Sequence, residues 1–189
     1  LATLALLLLR PTLLTDNKLS RFRSIVLLAD DSQSMTTAEP RPQVADQWRA
    51  AIAYNLVPPD RPMPAMPTSG DLPTLPTNKP TRLDILKASL TNPRLDLVAR
   101  VGKLGPLQPA TFGTRRSSKD PKDLSWIAAM AGTESKTALV DAVFDILKRD
   151  ENELPAAVVL ATDGRDNASG PGLDDLARDM VFDKDPTQA

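Results

Sequence analysis

Two apolar segments constrain the fold of this chain more than any other feature. Residues 24–29 (Ser-Ile-Val-Leu-Leu-Ala) and 155–161 (Pro-Ala-Ala-Val-Val-Leu-Ala) are continuous, partly β-branched runs, and an Asp follows each within two residues. Such runs are typical of strands buried on both faces of a parallel sheet. Helical patterns alternate with them, so the sequence predicts an α/β fold, a doubly wound, mostly parallel sheet with helices on both faces.

Apolar spacing predicts the helices of this fold. Helical patterns cover residues 83–90, 93–101, 137–148 and 173–181, and Thr81 with Asp84 has the spacing of an N-terminal cap. Residues 107–113 are a weak strand candidate because Pro109 cannot donate a hydrogen bond, and 114–122 is too short and polar for a convincing third strand. No strand pattern follows residue 181, so we expect the domain to be incomplete at its C-terminal end.

A proline-rich segment interrupts the domain. Residues 36–80 contain ten of the 18 prolines, a density that removes backbone donors and predicts an insertion without stable structure. Within it, Val44, Trp48, Ile52 and Leu56 are spaced four apart. This spacing predicts one short amphipathic helix over residues 43–56.

The first 23 residues indicate a membrane attachment. Residues 1–9 are uncharged and mostly Leu, and the basic residues follow this run, whereas a signal peptide has them before it. We therefore expect residues 1–15 to be the end of a transmembrane helix, 16–23 a basic juxtamembrane linker, and 24–189 the folded domain. The alternative is a buried helix of the domain itself. The charges alone do not decide the side of the membrane.

Composition excludes several functions. A formal net charge of −1 provides no basic field for nucleic acid. The chain has no Cys and no His, which excludes disulfides, zinc–thiolate sites, thiol nucleophiles and Ser-His-Asp catalysis. Any chemistry must use carboxylates, hydroxyls, Lys or Arg, and no nucleophile–base pair is evident, so we expect a protein that is not an enzyme.

Three polar clusters occupy the positions where an α/β sheet binds ligands. Residues 30–34 (Asp-Asp-Ser-Gln-Ser) follow the first strand, 133–137 precede a helix, and 162–164 (Thr-Asp-Gly) follow the second strand. Carboxylate and hydroxyl oxygens select Mg²⁺, Mn²⁺ or Ca²⁺. Each cluster alone is as readily a turn or a helix cap. Together, after two predicted buried strands, they favour a divalent-cation site.

These clusters resemble the von Willebrand factor type A domain. Residues 25–35 are similar to that family's first strand and its Asp-x-Ser-x-Ser motif, 137–143 to its metal-site Thr and following helix, and 158–167 to its Asp-Gly strand end. The resemblance implies a metal-ion-dependent adhesion site with Ser32 and Ser34 as direct ligands. Thr137 would bind directly or through water, and Asp30 and Asp163 largely through waters. Thr133 is a competing choice for Thr137.

The resemblance also implies a function. A divalent cation, Mg²⁺ before Mn²⁺ or Ca²⁺, would keep an open position that an acidic side chain of a protein partner completes. The order of apolar helix, basic linker and domain resembles membrane-anchored bacterial members of the family. Two alternatives stay open: a receiver-like domain that holds Mg²⁺ for phosphoryl transfer, and a metal-free scaffold in which Asp30 and Asp163 cap helices.

Overall fold

Four strands form one mixed sheet in the computed structural model, which describes residues 23–64, 70, 72–77, 79–148, 154–164 and 166–167. The strand order is β3-β2-β1-β4. β1 pairs in parallel with β2 and with β4, and β2 pairs antiparallel with β3. The bounds are β1 Ile25–Asp30, β2 Leu107–Phe112, β3 Arg116–Ser118 and β4 Ala157–Ala161. The predicted α/β class with a mostly parallel sheet is confirmed.

Five α-helices accompany this sheet in the described part of the chain. They are α1 Val44–Ala53, α2 Arg82–Thr91, α3 Leu97–Gly102, α4 Ser125–Ala129 and α5 Leu139–Leu147, and a 3-10 turn covers Gln33–Thr36. The predicted cap of α2 is confirmed, because Thr81 and Asp84 form a reciprocal capping box. The short helix α4 was not predicted.

Alternate residues of β1 build the two halves of the core. All six residues of β1 are buried. Leu27 and Ala29 pack in a cluster with residues of α2 and α4, whereas Val26 and Leu28 pack with residues of β2 and α5 such as Phe112. Helices therefore cover both faces of the strand. Each large apolar side chain buried in this way contributes about 1.5–3 kcal/mol.

Pro109 does not interrupt the second strand, contrary to the sequence expectation. Leu27 pairs with Pro109 in the β1–β2 register, and the Pro109 carbonyl accepts a hydrogen bond from the Lys119 N–H at 2.8 Å. The carbonyl and the nitrogen of one strand residue point to the same side of the strand. The Pro109 nitrogen, which cannot donate, therefore faces away from β1 and toward Lys119, just beyond the end of β3. The prediction that 114–122 holds no strand is also wrong, since β3 lies there.

The helix predicted over residues 93–101 begins later, at Leu97. Asp96 has a left-handed conformation (φ 45°), which separates the preceding turn from α3. The Asn92 side-chain oxygen accepts hydrogen bonds from the N–H groups of Arg94 and Leu95, so these amides are satisfied without a helix. These hydrogen bonds to the Asn92 side chain explain why the helix begins at Leu97 and not at residue 93.

The proline-rich segment contains the one predicted helix as α1. Besides α1, its described residues contain the last residue of the 3-10 turn and Ala38, which forms an isolated bridge with Thr81. These described residues contain no other helix or strand. Trp48, Ala51 and Val57 form a small apolar cluster there, and Leu72 and Leu75 pack against it. The segment thus makes its own apolar contacts around α1.

The last predicted strand is less buried than expected. In β4, Val159 is 38 % exposed and Leu160 is 44 % exposed. Within the described residues β4 is an edge strand that pairs only with β1. The predicted transmembrane end over 1–15, nearly all of the linker over 16–23 and the helix over 173–181 lie outside the described residues. None of the described helices combines the length and hydropathy that a membrane span requires.

Candidate metal centre

Asp30 ends β1 as a buried carboxylate. Its side chain is 0 % exposed; Oδ1 accepts a hydrogen bond from the Ser32 N–H at 2.9 Å, and Oδ2 accepts one from the Thr162 hydroxyl at 2.7 Å. No cationic side chain of the described residues forms an ion pair with it. A cation at this position would add a favourable charge interaction to the two hydrogen bonds that already hold this buried carboxylate.

The two serines of the predicted motif lie side by side, and the backbone N–H of Ser32 contacts this carboxylate. The Ser32 and Ser34 hydroxyls hydrogen-bond each other, with their oxygens 2.9 Å apart. Ser32 has extended backbone (φ −80°, ψ 161°), and the 3-10 turn that starts at Gln33 brings Ser34 back beside it. Neighbouring ligands of an octahedral Mg²⁺, each about 2.1 Å from the ion, lie about 3 Å apart. The hydroxyl pair therefore fits two adjacent ligand positions of one such cation.

The side chain of Asp31 has a different structural role from that of Asp30. Its Oδ1 accepts hydrogen bonds from the N–H groups of Ala131 at 2.9 Å and Gly132 at 2.7 Å. Next to it, the Gln33 N–H donates to the Glu134 carbonyl at 2.7 Å. These bonds hold the loop between α4 and α5, which carries Thr137, alongside the loop that carries the serines.

Glycine is required at the contact between these two loops. Gly132 has φ +63°, and a Cβ there would lie 2.4 Å from the Thr36 Cγ2 atom. Only glycine avoids both the strained backbone and the clash. The close approach of the α4–α5 loop to the 3-10 turn depends on this residue.

Thr137 is buried in the same loop, and its exposed fraction is 1 %. Its N–H donates to the Asn167 side-chain oxygen at 2.6 Å, and its carbonyl accepts from the Asn167 N–H at 3.2 Å. Thr137 does not begin a helix as predicted, because α5 begins at Leu139. The competing Thr133 is exposed. Thr137 therefore connects the α4–α5 loop to the loop after β4.

Asp163 lies after β4 and forms an ion pair with Arg82. The same guanidinium also pairs with Glu39, and the side chains of Arg82 and Asp163 are 16 % and 4 % exposed. The structure thus neutralises this predicted site residue with a cation of the chain itself. Arg82 is 81 positions from Asp163 in sequence, and no local pattern pointed to their contact.

The five predicted residues thus separate into a core and a periphery. Asp30, Ser32 and Ser34 are linked by short contacts, whereas Thr137 and Asp163 lie in adjoining loops and have the partners Asn167 and Arg82. Sequence reasoning gave no role to Thr162, although it belongs to the predicted cluster 162–164. It also missed the loop contacts of Asp31 and the long-range contacts of Arg82, Glu39 and Asn167.

The donor set at this edge is mainly neutral oxygen. Among the described residues no group of three or more His, Cys, Asp or Glu side chains is placed to hold a metal ion. A cation here would have two hydroxyls and one buried carboxylate close by, which suits a hard divalent ion with remaining positions for water or for a partner. Comparison with models of protein families, with curated proteins and with solved structures finds no match to this chain.

Proposed function

We propose that this chain is a metal-dependent protein-binding module of the von Willebrand factor type A kind. One divalent cation, Mg²⁺ in preference to Mn²⁺ or Ca²⁺, binds at the carboxyl end of β1. The observation that carries the proposal is the pair of hydroxyls, Ser32 and Ser34, 2.9 Å apart beside the buried carboxylate of Asp30. This arrangement matches the donor type and the ligand spacing that Mg²⁺ prefers.

Each residue has a distinct role in this proposal. Ser32 and Ser34 bind the cation through their hydroxyls, and Asp30 fixes the turn and supplies negative charge through bound water. Thr137 contributes directly or through water. Asp163 acts largely through water, in competition with its ion pair to Arg82. When bound, the cation supplies an electrophilic position, because its direct ligands from the chain are neutral. An acidic side chain of a protein partner binds there, and the module performs no catalysis.

The apolar residues 1–9 and the basic residues that follow support a second part of the proposal. We infer that the module is anchored to a bacterial cell membrane through this segment. The domain would then present its cation to a protein partner near the membrane.

A calorimetric titration with MgCl₂ or MnCl₂ tests metal binding without knowledge of the partner. The wild-type chain should bind one equivalent, and Asp30→Asn and the double variant Ser32→Ala/Ser34→Ala should not. Ser118→Ala, an exposed serine of β3, is the matched control and should bind as wild type. Equal binding by the double variant and by wild type would overturn the proposal.

A metal-free scaffold is the second candidate. It is favoured by the contacts that two acidic side chains already make within the chain. Asp31 accepts hydrogen bonds from two backbone N–H groups, and Asp163 forms an ion pair with Arg82. This function predicts no heat of metal binding for any variant, together with loss of stability in Asp31→Ala. The titration distinguishes the two candidates.

A further inference from the structure

The start of helix α2 contacts all three loops of the candidate metal centre. The Arg82 N–H donates to the Thr37 carbonyl at 3.4 Å, just after the 3-10 turn that carries the second serine. The Arg82 guanidinium forms an ion pair with Asp163, in the loop after β4. The Leu83 Cδ2 atom lies 3.4 Å from the position of a Cβ on Gly132, in the α4–α5 loop. A shift of this helix start therefore changes the contacts of every loop of the centre.

The same helix start holds the two ends of the proline-rich insertion together. Ala38 and Thr81 form an isolated antiparallel bridge, and the Arg82 guanidinium forms a second ion pair, with Glu39. We call these four residues the stem of the insertion. The stem begins two positions after the 3-10 turn of the candidate centre, so the insertion leaves the domain beside the centre.

One guanidinium is thus shared between the centre and the stem. The side chains of Arg82 and Asp163 are largely buried, and that of Glu39 is 42 % exposed. A capping box between Thr81 and Asp84 fixes the backbone at this point. Charges in such a partly buried cluster interact more strongly than pairs on the open surface. A cation that attracts Asp163 therefore changes the interaction of Arg82 with Glu39.

We propose, on the basis of the metal-dependent function above, that Arg82 couples cation binding at the centre to the stability of the insertion stem. A divalent cation attracts the Asp163 carboxylate and weakens its pair with Arg82. The guanidinium then interacts more strongly with Glu39, and the charge of the cation attracts Glu39 in the same sense. Cation binding thus stabilises the stem. Because such coupling is reciprocal, a partner that opens the stem lowers the affinity for the cation.

A double-mutant cycle on Mg²⁺ affinity tests this coupling in the full chain. Calorimetry gives the dissociation constants of wild type, Glu39→Gln, Arg82→Gln and the double variant. Glu39→Gln should weaken Mg²⁺ binding on the order of fivefold, the lower end of typical couplings, because the full charge of Arg82 then acts on Asp163. In the Arg82→Gln background the same change should alter the affinity by less than about twofold, the scatter expected between uncoupled sites.

The matched control is Asp46→Asn, which removes another acidic side chain of the insertion. Asp46 pairs with Arg49 and not with the stem, so this variant should bind Mg²⁺ as wild type does. Hydrogen exchange of the Arg82 amide, which bonds the Thr37 carbonyl, is the second measurement. By reciprocity, saturating Mg²⁺ should slow this exchange on the order of fivefold in wild type and should not slow it in Glu39→Gln.

The outcomes distinguish this coupling from the proposed function itself. No Mg²⁺ binding by wild type would overturn both. Normal Mg²⁺ binding with equal affinities of wild type and Glu39→Gln would overturn the coupling alone. Equal losses on Glu39→Gln with and without Arg82, an equal loss in Asp46→Asn, or an Arg82 exchange rate that Mg²⁺ does not change would also overturn the coupling alone.

Discussion

The Thr162 hydroxyl donates a hydrogen bond of 2.7 Å to the Asp30 carboxylate across 132 positions of sequence. The contact forms because β1 and β4 are parallel neighbours, so the ends of both strands meet at one edge of the sheet. The Gly164 N–H in turn donates to the Thr162 oxygen at 3.1 Å. Thr162 therefore joins the buried carboxylate to the loop that carries Asp163.

Replacing Thr162 with Val should destabilise the domain. The change keeps the shape but leaves one carboxylate oxygen of Asp30 without its partner in a buried position, at a cost of about 1–3 kcal/mol. Urea unfolding measures the difference. Thr114→Val, at an exposed position, is the control and should change stability little. Equal stability of Thr162→Val and wild type would show that this hydrogen bond makes no net contribution to the free energy of unfolding.

Gly132→Ala should destabilise more than an alanine substitution at an unhindered glycine. Its positive φ and the 2.4 Å approach to the Thr36 side chain oblige the two loops to separate, at a cost of more than about 1 kcal/mol. Gly102 is the matched control, because nothing lies within 4 Å of a Cβ there. Thermal unfolding of both variants checks the prediction, and a similar loss in the two would contradict it.

The sequence was sufficient where the determinants are local. The apolar run before Asp30 predicts β1, and the Thr81–Asp84 spacing predicts the start of α2, because strand burial and capping depend on residues a few positions apart. The prediction for Pro109 is wrong because the effect of this residue depends on which side of β2 the missing donor faces. That side is set by the neighbouring strands, which the local sequence does not contain.

The candidate site likewise combines contacts between residues close in sequence with contacts between distant ones. Ser32 and Ser34 are two positions apart, so one turn brings them together, and their proximity could be predicted from the motif. The ion pair of Asp163 with Arg82 spans 81 positions and joins a helix start to a strand end. No periodicity or spacing encodes such a contact, and it changes the expected electrostatics of Asp163.

Arg82→Gln should raise the affinity for divalent cations and lower stability. The guanidinium competes with a metal ion for the charge of Asp163, so we expect its removal to raise the affinity. Loss of the largely buried pair should cost up to about 3 kcal/mol. Glu39→Gln is the control, because it removes only the more exposed partner of Arg82. An unchanged Mg²⁺ affinity in Arg82→Gln would show that Asp163 does not contribute to metal binding.

Asp123 provides a prediction on pH. Hydrogen bonds from the Ser125 N–H and, secondarily, from the Ser125 hydroxyl lower the pKa of the Asp123 carboxyl below its ordinary value. A lowered pKa in the folded state stabilises the start of α4 above the ordinary pKa of Asp, and this contribution is lost as the pH falls through the lowered value. NMR titration of wild type and Ser125→Ala should give the higher Asp123 pKa in the variant. Identical values would contradict the role of the hydroxyl.

Paramagnetic broadening by Mn²⁺ tests the central claim most directly, because it locates the bound ion. In amide NMR spectra of the full chain, substoichiometric Mn²⁺ should first broaden the signals of Asp31, Ser32, Ser34 and Thr137 and should leave Gly102 and Leu104, at the opposite edge, sharp. The double variant Ser32→Ala/Ser34→Ala should lose this pattern. Broadening centred elsewhere, or the same pattern in the double variant, would contradict a metal centre at the end of β1.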